Sequence, residues 1–180
     1  MKLPFLRKAA SEDLAVSMAG IKLGDRLLVV GCSDALLIAQ LATKTGLTGR
    51  ACAVDDEEAT VTRAANIALR EGALVETFVS PLGMLPLDAA AFDVAVVRAA
   101  LGRLPSEHRI GCLTEVRRVL RAGGRCLVID PARRALSALV GAGSSDYAPV
   151  ALLEAAGFKA ARVLAEREGL MFAEAVKSNP

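Results

Sequence analysis

Short apolar runs alternating with longer amphipathic ones predict a three-layer α/β sandwich on a mostly parallel sheet. Runs such as Arg26–Val30 (RLLVV) and Phe92–Val97 (FDVAVV) are nearly continuous in apolar residues, as strands buried on both faces are. The stretches between them carry apolar residues at helical spacing and end near glycines. Aromatics make up only 3% of a chain that is 53% hydrophobic. The interior is therefore Leu, Val, Ile and Ala, the core expected where helices pack on a buried sheet.

Taken in order, Arg26–Val30 follows a Gly24-Asp25 turn and reads as the first strand. Asp34–Lys44 is a helix with Leu37, Ile38 and Leu41 on one stripe and Gly46 near its end. Arg50–Val54 (RACAV) is the second strand. The helix Asp56–Glu71 is acidic in its first turn and stopped by Gly72, in keeping with the helix dipole. Leu74–Val79 is the third strand, and Ser80–Ala91, with two prolines and a glycine, is a loop. After the fourth strand, Phe92–Val97, Ser106 is placed to cap a helix whose stripe is Ile110, Leu113, Val116 and Leu120. Gly123-Gly124 ends that helix before a fifth strand, Arg125–Ile129. Ala148–Ala156 is a short helix closed by Gly157, and Phe158–Ala165 pairs with Leu170–Val176 across a polar REG turn as an antiparallel hairpin. Residues 1–180 form one domain, with an N-terminal helical segment over 1–20 and a short lid-like insertion over 131–147 that ends at Tyr147.

Composition narrows the function. A net charge of +2 with no basic stripe and no stacking aromatics argues against nucleic acid as a partner. No apolar run is long enough to span a membrane. The N-terminus, MKLPFLRKAASEDLAVSMAG, has charge but lacks the apolar core of a signal peptide. Cys32, Cys52, Cys112 and Cys126 lack metal-ligand spacing and read as buried reduced thiols, consistent with a cytoplasmic location.

Several segments resemble the class I S-adenosylmethionine-dependent methyltransferases, most closely the small-molecule branch that includes quinone-biosynthesis enzymes. MAGIKLGDRLLVVGCSDALLIAQLA is similar to that family's first strand, glycine loop and helix, and AVDDEEATVTRAAN to the end of strand two and its helix. LPLDAAAFDVAVV resembles the approach to strand four, LTEVRRVLRAGGRCLVID the following helix-turn-strand, and AAGFKAARVLAEREGLMFAEAVK the closing hairpin. The resemblance runs from about Met18 to Lys177. It implies a Rossmann-like, seven-stranded sheet with an antiparallel C-terminal hairpin strand, and S-adenosylmethionine as cofactor.

Ligands of open α/β sheets bind beyond the strand carboxyl ends where the strand order reverses, which gathers Gly31, Asp55, Ser80 and Arg98 around one crevice. The resemblance implies cofactor contacts from Gly31, Cys32, Ser33, Asp55, Asp56, Ser80 and Arg98. Gly31 lets the backbone approach a ligand, and Asp55 is placed to accept both ribose hydroxyls. Four positions depart from the family. Ser33 and Ala35 replace glycines, at a cost on the order of 1 kcal/mol if a left-handed conformation is required. Val29 replaces an acid near the cofactor's ammonium, a loss of roughly 1.5–3 kcal/mol, so Val29→Asp is expected to tighten binding. Pro81 replaces an acid that meets the adenine amino group. Arg98 is placed to clamp a carboxylate or to pair with a nearby acid. The Ala99–Arg103 stretch offers a plain pocket floor, and His108 sits off its helix's apolar stripe as a solvated side chain. The chain does not point to a general base, a metal or an oligomeric state. Two functions stay open: a methyltransferase acting on a small molecule or a protein partner, and a catalytically inactive methyltransferase-fold binding subunit.

Overall fold

Strand β1 (Arg26–Val30) divides its side chains between two cores. Leu28 and Val30 enter one apolar cluster and Leu27 and Val29 the other, because successive strand residues point to opposite faces. The same division recurs in β2 (Arg50–Asp55) and β4 (Phe92–Arg98), which is why these runs show no polar alternation. The computed structural model describes residues 14–132 and 148–178. The expected segment over 1–13, the lid-like insertion from 133 to 147 and Tyr147 lie outside the described residues.

With β3 (Glu76–Val79), β5 (Leu120–Pro131), β6 (Lys159–Arg167) and β7 (Leu170–Val176), the strands form one seven-stranded sheet. Its order is β3-β2-β1-β4-β5-β7-β6. Strands β1 to β5 run parallel to one another, and β7 lies antiparallel between β5 and β6. Helix α1 (14–19), α2 (Ala35–Thr45) and α3 (Glu58–Arg70) cover one face. Helices α4 (Ser106–Val119) and α5 (Pro149–Ala155) cover the other. This is a Rossmann-like, class I architecture, with β1 and β4 flanking the point where the strand order reverses.

Several boundaries differ from the sequence reading: α3 begins at Glu58 rather than Asp56, β3 at Glu76 rather than Leu74, and the largest changes lie around α4. Pro105 rather than Ser106 is the N-cap of α4: its backbone is non-helical (φ −51°, ψ 148°) and its carbonyl accepts from the His108 amide at 3.0 Å, while the Ser106 hydroxyl turns to the Glu107 carboxylate at 3.2 Å. Ile110 is exposed, and Cys112, Leu113, Val116 and Val119 make the buried stripe instead. Helix α4 then ends at Val119, and Leu120 already pairs with Phe92 as the start of β5. The Gly123-Gly124 pair therefore lies inside an irregular strand start, bonded at 2.8 Å through Gly123 N–H and Gly124 C=O to Lys177. The hairpin turn is tight: Glu168 and Gly169 both have positive φ, 51° and 77°, as two-residue hairpin loops require.

No helix among the described residues is long and apolar enough to cross a membrane. All four cysteines are free and buried. Phe92 is fully buried at the base of β4, whereas Leu47 is 93% exposed. Phe92→Ala is expected to cost about 3–5 kcal/mol in urea unfolding, and Leu47→Ala to stay within about 0.5 kcal/mol of the parent.

Candidate functional site

The carboxyl ends of β1, β2 and β4 meet at Gly31, Asp55 and Arg98. Gly31 has φ +95°, and its amide donates to Val54 O at 2.9 Å, which carries the β1–β2 pairing one step beyond the strand. A β-carbon there would lie 2.2 Å from the Arg98 carbonyl oxygen and 3.2 Å from Ala100 Cβ. Glycine is thus required by the close approach of the β4 end. The face that sequence reasoning reserved for a ligand is filled by the protein's own backbone.

The next residue turns the chain into the crevice. Cys32 donates its amide proton to Asp55 Oδ2 at 2.5 Å, so the loop after β1 and the acid ending β2 converge on one point. Its thiol is pushed up to about 12 by burial, reinforced by the Asp55 charge and opposed by Arg103. It stays protonated and serves packing. Ser33 is exposed and outside the left-handed region, so the expected strain of replacing glycine does not arise. Its carbonyl accepts from Arg63 Nη2 at 3.3 Å. Asp34 is the N-cap of α2 and accepts from Leu37 N at 3.4 Å. Ala35 begins the helix and is buried.

Asp55 is 0% exposed. Besides Cys32, the Glu57 amide donates to its Oδ1 at 3.2 Å, and Arg103 Nη2 donates to both oxygens at 2.9 Å. Burial works most strongly against the charged form. The Cys32, Asp56 and Arg103 bonds together outweigh it and hold the Asp55 carboxyl below the usual carboxylate range. Asp56 is exposed and 3.6 Å from Arg103 Nη1; its carboxyl is raised, first by sharing a hydrogen bond with Asp55 and then by burial. Ser80 donates its amide to Asp55 O at 3.0 Å and its hydroxyl to Met84 O at 2.8 Å. That hydroxyl closes its own turn and supplies no donor to a neighbouring ligand.

Arg98, 16% exposed, reaches Asp34 Oδ2 and Ile129 O at 3.4 Å each, and its buried Nε has no acceptor. Both of its bonds are long, which leaves a cation weakly engaged at the crevice wall. Ala99 follows with φ +50°, an uncommon conformation for a residue with a β-carbon. Beside Asp56, a groove of about 660 Å³ opens between Val79, Pro81, Leu82, Leu104 and His108. The exposed His108 therefore lines this groove. A second groove, of about 540 Å³ between Leu47 and Leu74, belongs to the loops entering the strands, at the other end of the sheet.

The residue that sequence reasoning missed is Arg103. It stands in the stretch taken as a plain floor, and only the return of that turn over β2 brings it onto Asp55. No spacing rule connects positions 48 residues apart.

The family model described as "Methyltransferase domain" matches residues 27–124, which hold β1 through the start of β5. The chain belongs to this methyltransferase family. S-adenosylmethionine is the cofactor that family and fold imply. The chain is similar to the ubiquinone/menaquinone biosynthesis C-methyltransferase UbiE of Burkholderia mallei, with 26% identity over 121 residues, 67% of this chain and 49% of the relative. It thus spans about half the length of the curated relatives it matches. Its fold is similar to a SAM-dependent methyltransferase from Aquifex aeolicus (TM-score 0.76, 21% identity, 92% of this chain and 88% of that one). It is also similar to a putative methyltransferase of Haloferax volcanii solved with the Trm112 methyltransferase activator (TM-score 0.69, 14% identity, 93% and 88% coverage).

The donor set fits the cofactor. The carboxylate at the end of β2 turns two acceptors toward one donor position, the arrangement a ribose diol uses, although Arg103 Nη2 holds that position in this structure, and the groove lined by Leu82, Leu104 and His108 adjoins Asp56. The exception is Val29, 1% exposed in the apolar cluster against α2 and α3. A carboxylate at that position would enter this apolar cluster, so the Val29→Asp variant expected to tighten binding carries a cost in folding stability. The variant should lose about 3 kcal/mol or more of stability in urea unfolding.

Acid sensitivity follows from Asp55. Its folded pKa lies below the unfolded value of about 3.9, so its contribution is present above that pH and lost as pH falls further. The urea midpoint should hold from pH 7 to about 5 and fall below about 4. Asp55→Asn should start lower and fall less steeply.

Proposed function

We propose that this chain is an S-adenosylmethionine-dependent methyltransferase of the small-molecule class, with the cofactor ribose on Asp55 and the adenine in the groove of Leu82, Leu104 and His108. The observation that carries the reading is the 2.5 Å bond from Cys32 N–H to Asp55, which closes the ends of β1 and β2 into one hollow. Gly31, Cys32 and Ser33 then border the methionine end of the cofactor, and Asp56 and Ser80 its nucleoside end. Arg98, 16% exposed and held by two long bonds from its terminal nitrogens, takes the cofactor carboxylate.

Methyl transfer is an in-line displacement in which alignment supplies much of the rate. The similarity to a quinone-biosynthesis C-methyltransferase makes a ring carbon the first acceptor to assay. The activator in the Haloferax volcanii complex makes a protein partner the first place to look for the remaining walls of the substrate site. Four free, buried thiols support a cytoplasmic location.

A second reading, a binding subunit without turnover, is favoured by Val29. No acid stands where the family places one, and the position is committed to the core. Calorimetry with S-adenosylmethionine and S-adenosylhomocysteine separates the readings. Dissociation constants in the tens of micromolar, weakened by Asp55→Asn, are expected for the enzyme. Absence of heat at millimolar ligand would dismiss unaided catalysis.

A further inference from the structure

Asp55 is both the acid best placed for a ribose and the most completely satisfied side chain of the crevice. One nitrogen, Arg103 Nη2, lies 2.9 Å from each of its carboxylate oxygens, the position a diol must take to use the same acceptors. The ligand and the arginine cannot both be there. Of the two partners only Arg103 is free to leave, being 40% exposed where Asp55 is 0%.

The backbone that carries Arg103 is fixed. Arg109 Nε donates to Leu101 O at 3.0 Å and to Leu104 O at 3.1 Å, which pins the turn on both sides, and Leu101 is fully buried. Exchange is therefore a side-chain movement. Its destination is already set: Arg103 Nη1 lies 3.6 Å from the exposed carboxylate of Asp56. Swinging outward trades a buried ion pair for an exposed one while keeping the cation beside two acids whose charges would otherwise repel.

We infer that Arg103 is a resident occupant of the ribose subsite, and that nucleoside binding proceeds by transfer of its guanidinium from Asp55 to Asp56. The inference rests on the reading of Asp55 as the ribose acceptor. Under it, weak cofactor binding comes from competition within the protein as well as from the missing acid at position 29. A partner that drew Arg103 away would raise cofactor affinity without touching the cofactor.

The test is calorimetry of the full chain with S-adenosylhomocysteine, with thermal melting of each variant as a folding control. Arg103→Gln should bind at least tenfold more tightly than the parent. Asp56→Asn should weaken the parent severalfold, because the displaced guanidinium loses its destination, and should change little when combined with Arg103→Gln. If Arg103→Gln does not fold, Arg103→Lys, which keeps the charge but loses the bridging geometry, should give a smaller tightening. Carboxyl NMR of Asp55 adds a readout free of ligand: its titration should move up in Arg103→Gln. Equal or weaker binding by the Arg103 variants, with the parent's binding abolished by Asp55→Asn, overturns the exchange and leaves the ribose assignment standing. Failure of parent and Arg103 variants alike to bind at millimolar ligand overturns both.

Discussion

A charged carboxylate with no solvent exposure organises this end of the molecule. Taking an ion out of water costs several kcal/mol, so Asp55 persists as an anion only while other groups replace its hydration. Those groups come from three directions: the Cys32 amide after β1, the Glu57 amide entering α3, and the Arg103 guanidinium from the turn before α4. Satisfying one side chain thus fixes the relative positions of three loops. The crevice owes its shape to that requirement as much as to the sheet beneath it.

Gly31 makes the complementary point. In this fold family a glycine after the first strand reads as room for a ligand, yet here the room is taken by the Arg98 carbonyl. Conservation of architecture and readiness to bind are separable, and this residue serves the first. Ser33 shows the reverse. It replaces a glycine without strain, because the loop does not enter the left-handed region at that position. Departures from a motif therefore do not weigh equally: Val29 removes a charge and enters the core, while Ser33 changes little.

Arg103 is balanced internally against Asp55 and Asp56, whereas Arg98 is held to Asp34 by a 3.4 Å bond and keeps one buried nitrogen without an acceptor. Such a site holds its shape without a ligand and must break bonds to accept one. That distinguishes it from an open cradle whose donors wait on water. It also leaves the groove beside Asp56, lined by Leu82, Leu104 and His108, as the more accessible part of the hollow.

Most of the layer architecture was legible from the chain alone. Continuous apolar strands, helices stopped by glycine and the polar REG turn are local signals, and β1, the Ser80–Ala91 loop and the β6–β7 hairpin follow from them. The start of α4 was placed one residue late because a serine before an amphipathic stretch reads as an N-cap, whereas the structure puts Pro105 at the cap and turns the Ser106 hydroxyl to Glu107. Asp55 was legible as a candidate because it stands at the end of a predicted strand, and the structure puts it at the carboxyl end of β2. Arg103 was not, because an arginine in an irregular turn carries no periodicity and its partner is brought near only by the crossing of β4 over to α4. Sequence by itself determined which segments are buried and hence the sheet and its helical layers, since burial is written in each segment's own composition. Tertiary structure alone decided which charge faces which, since long-range pairing depends on loop paths that leave no mark on either partner's neighbours.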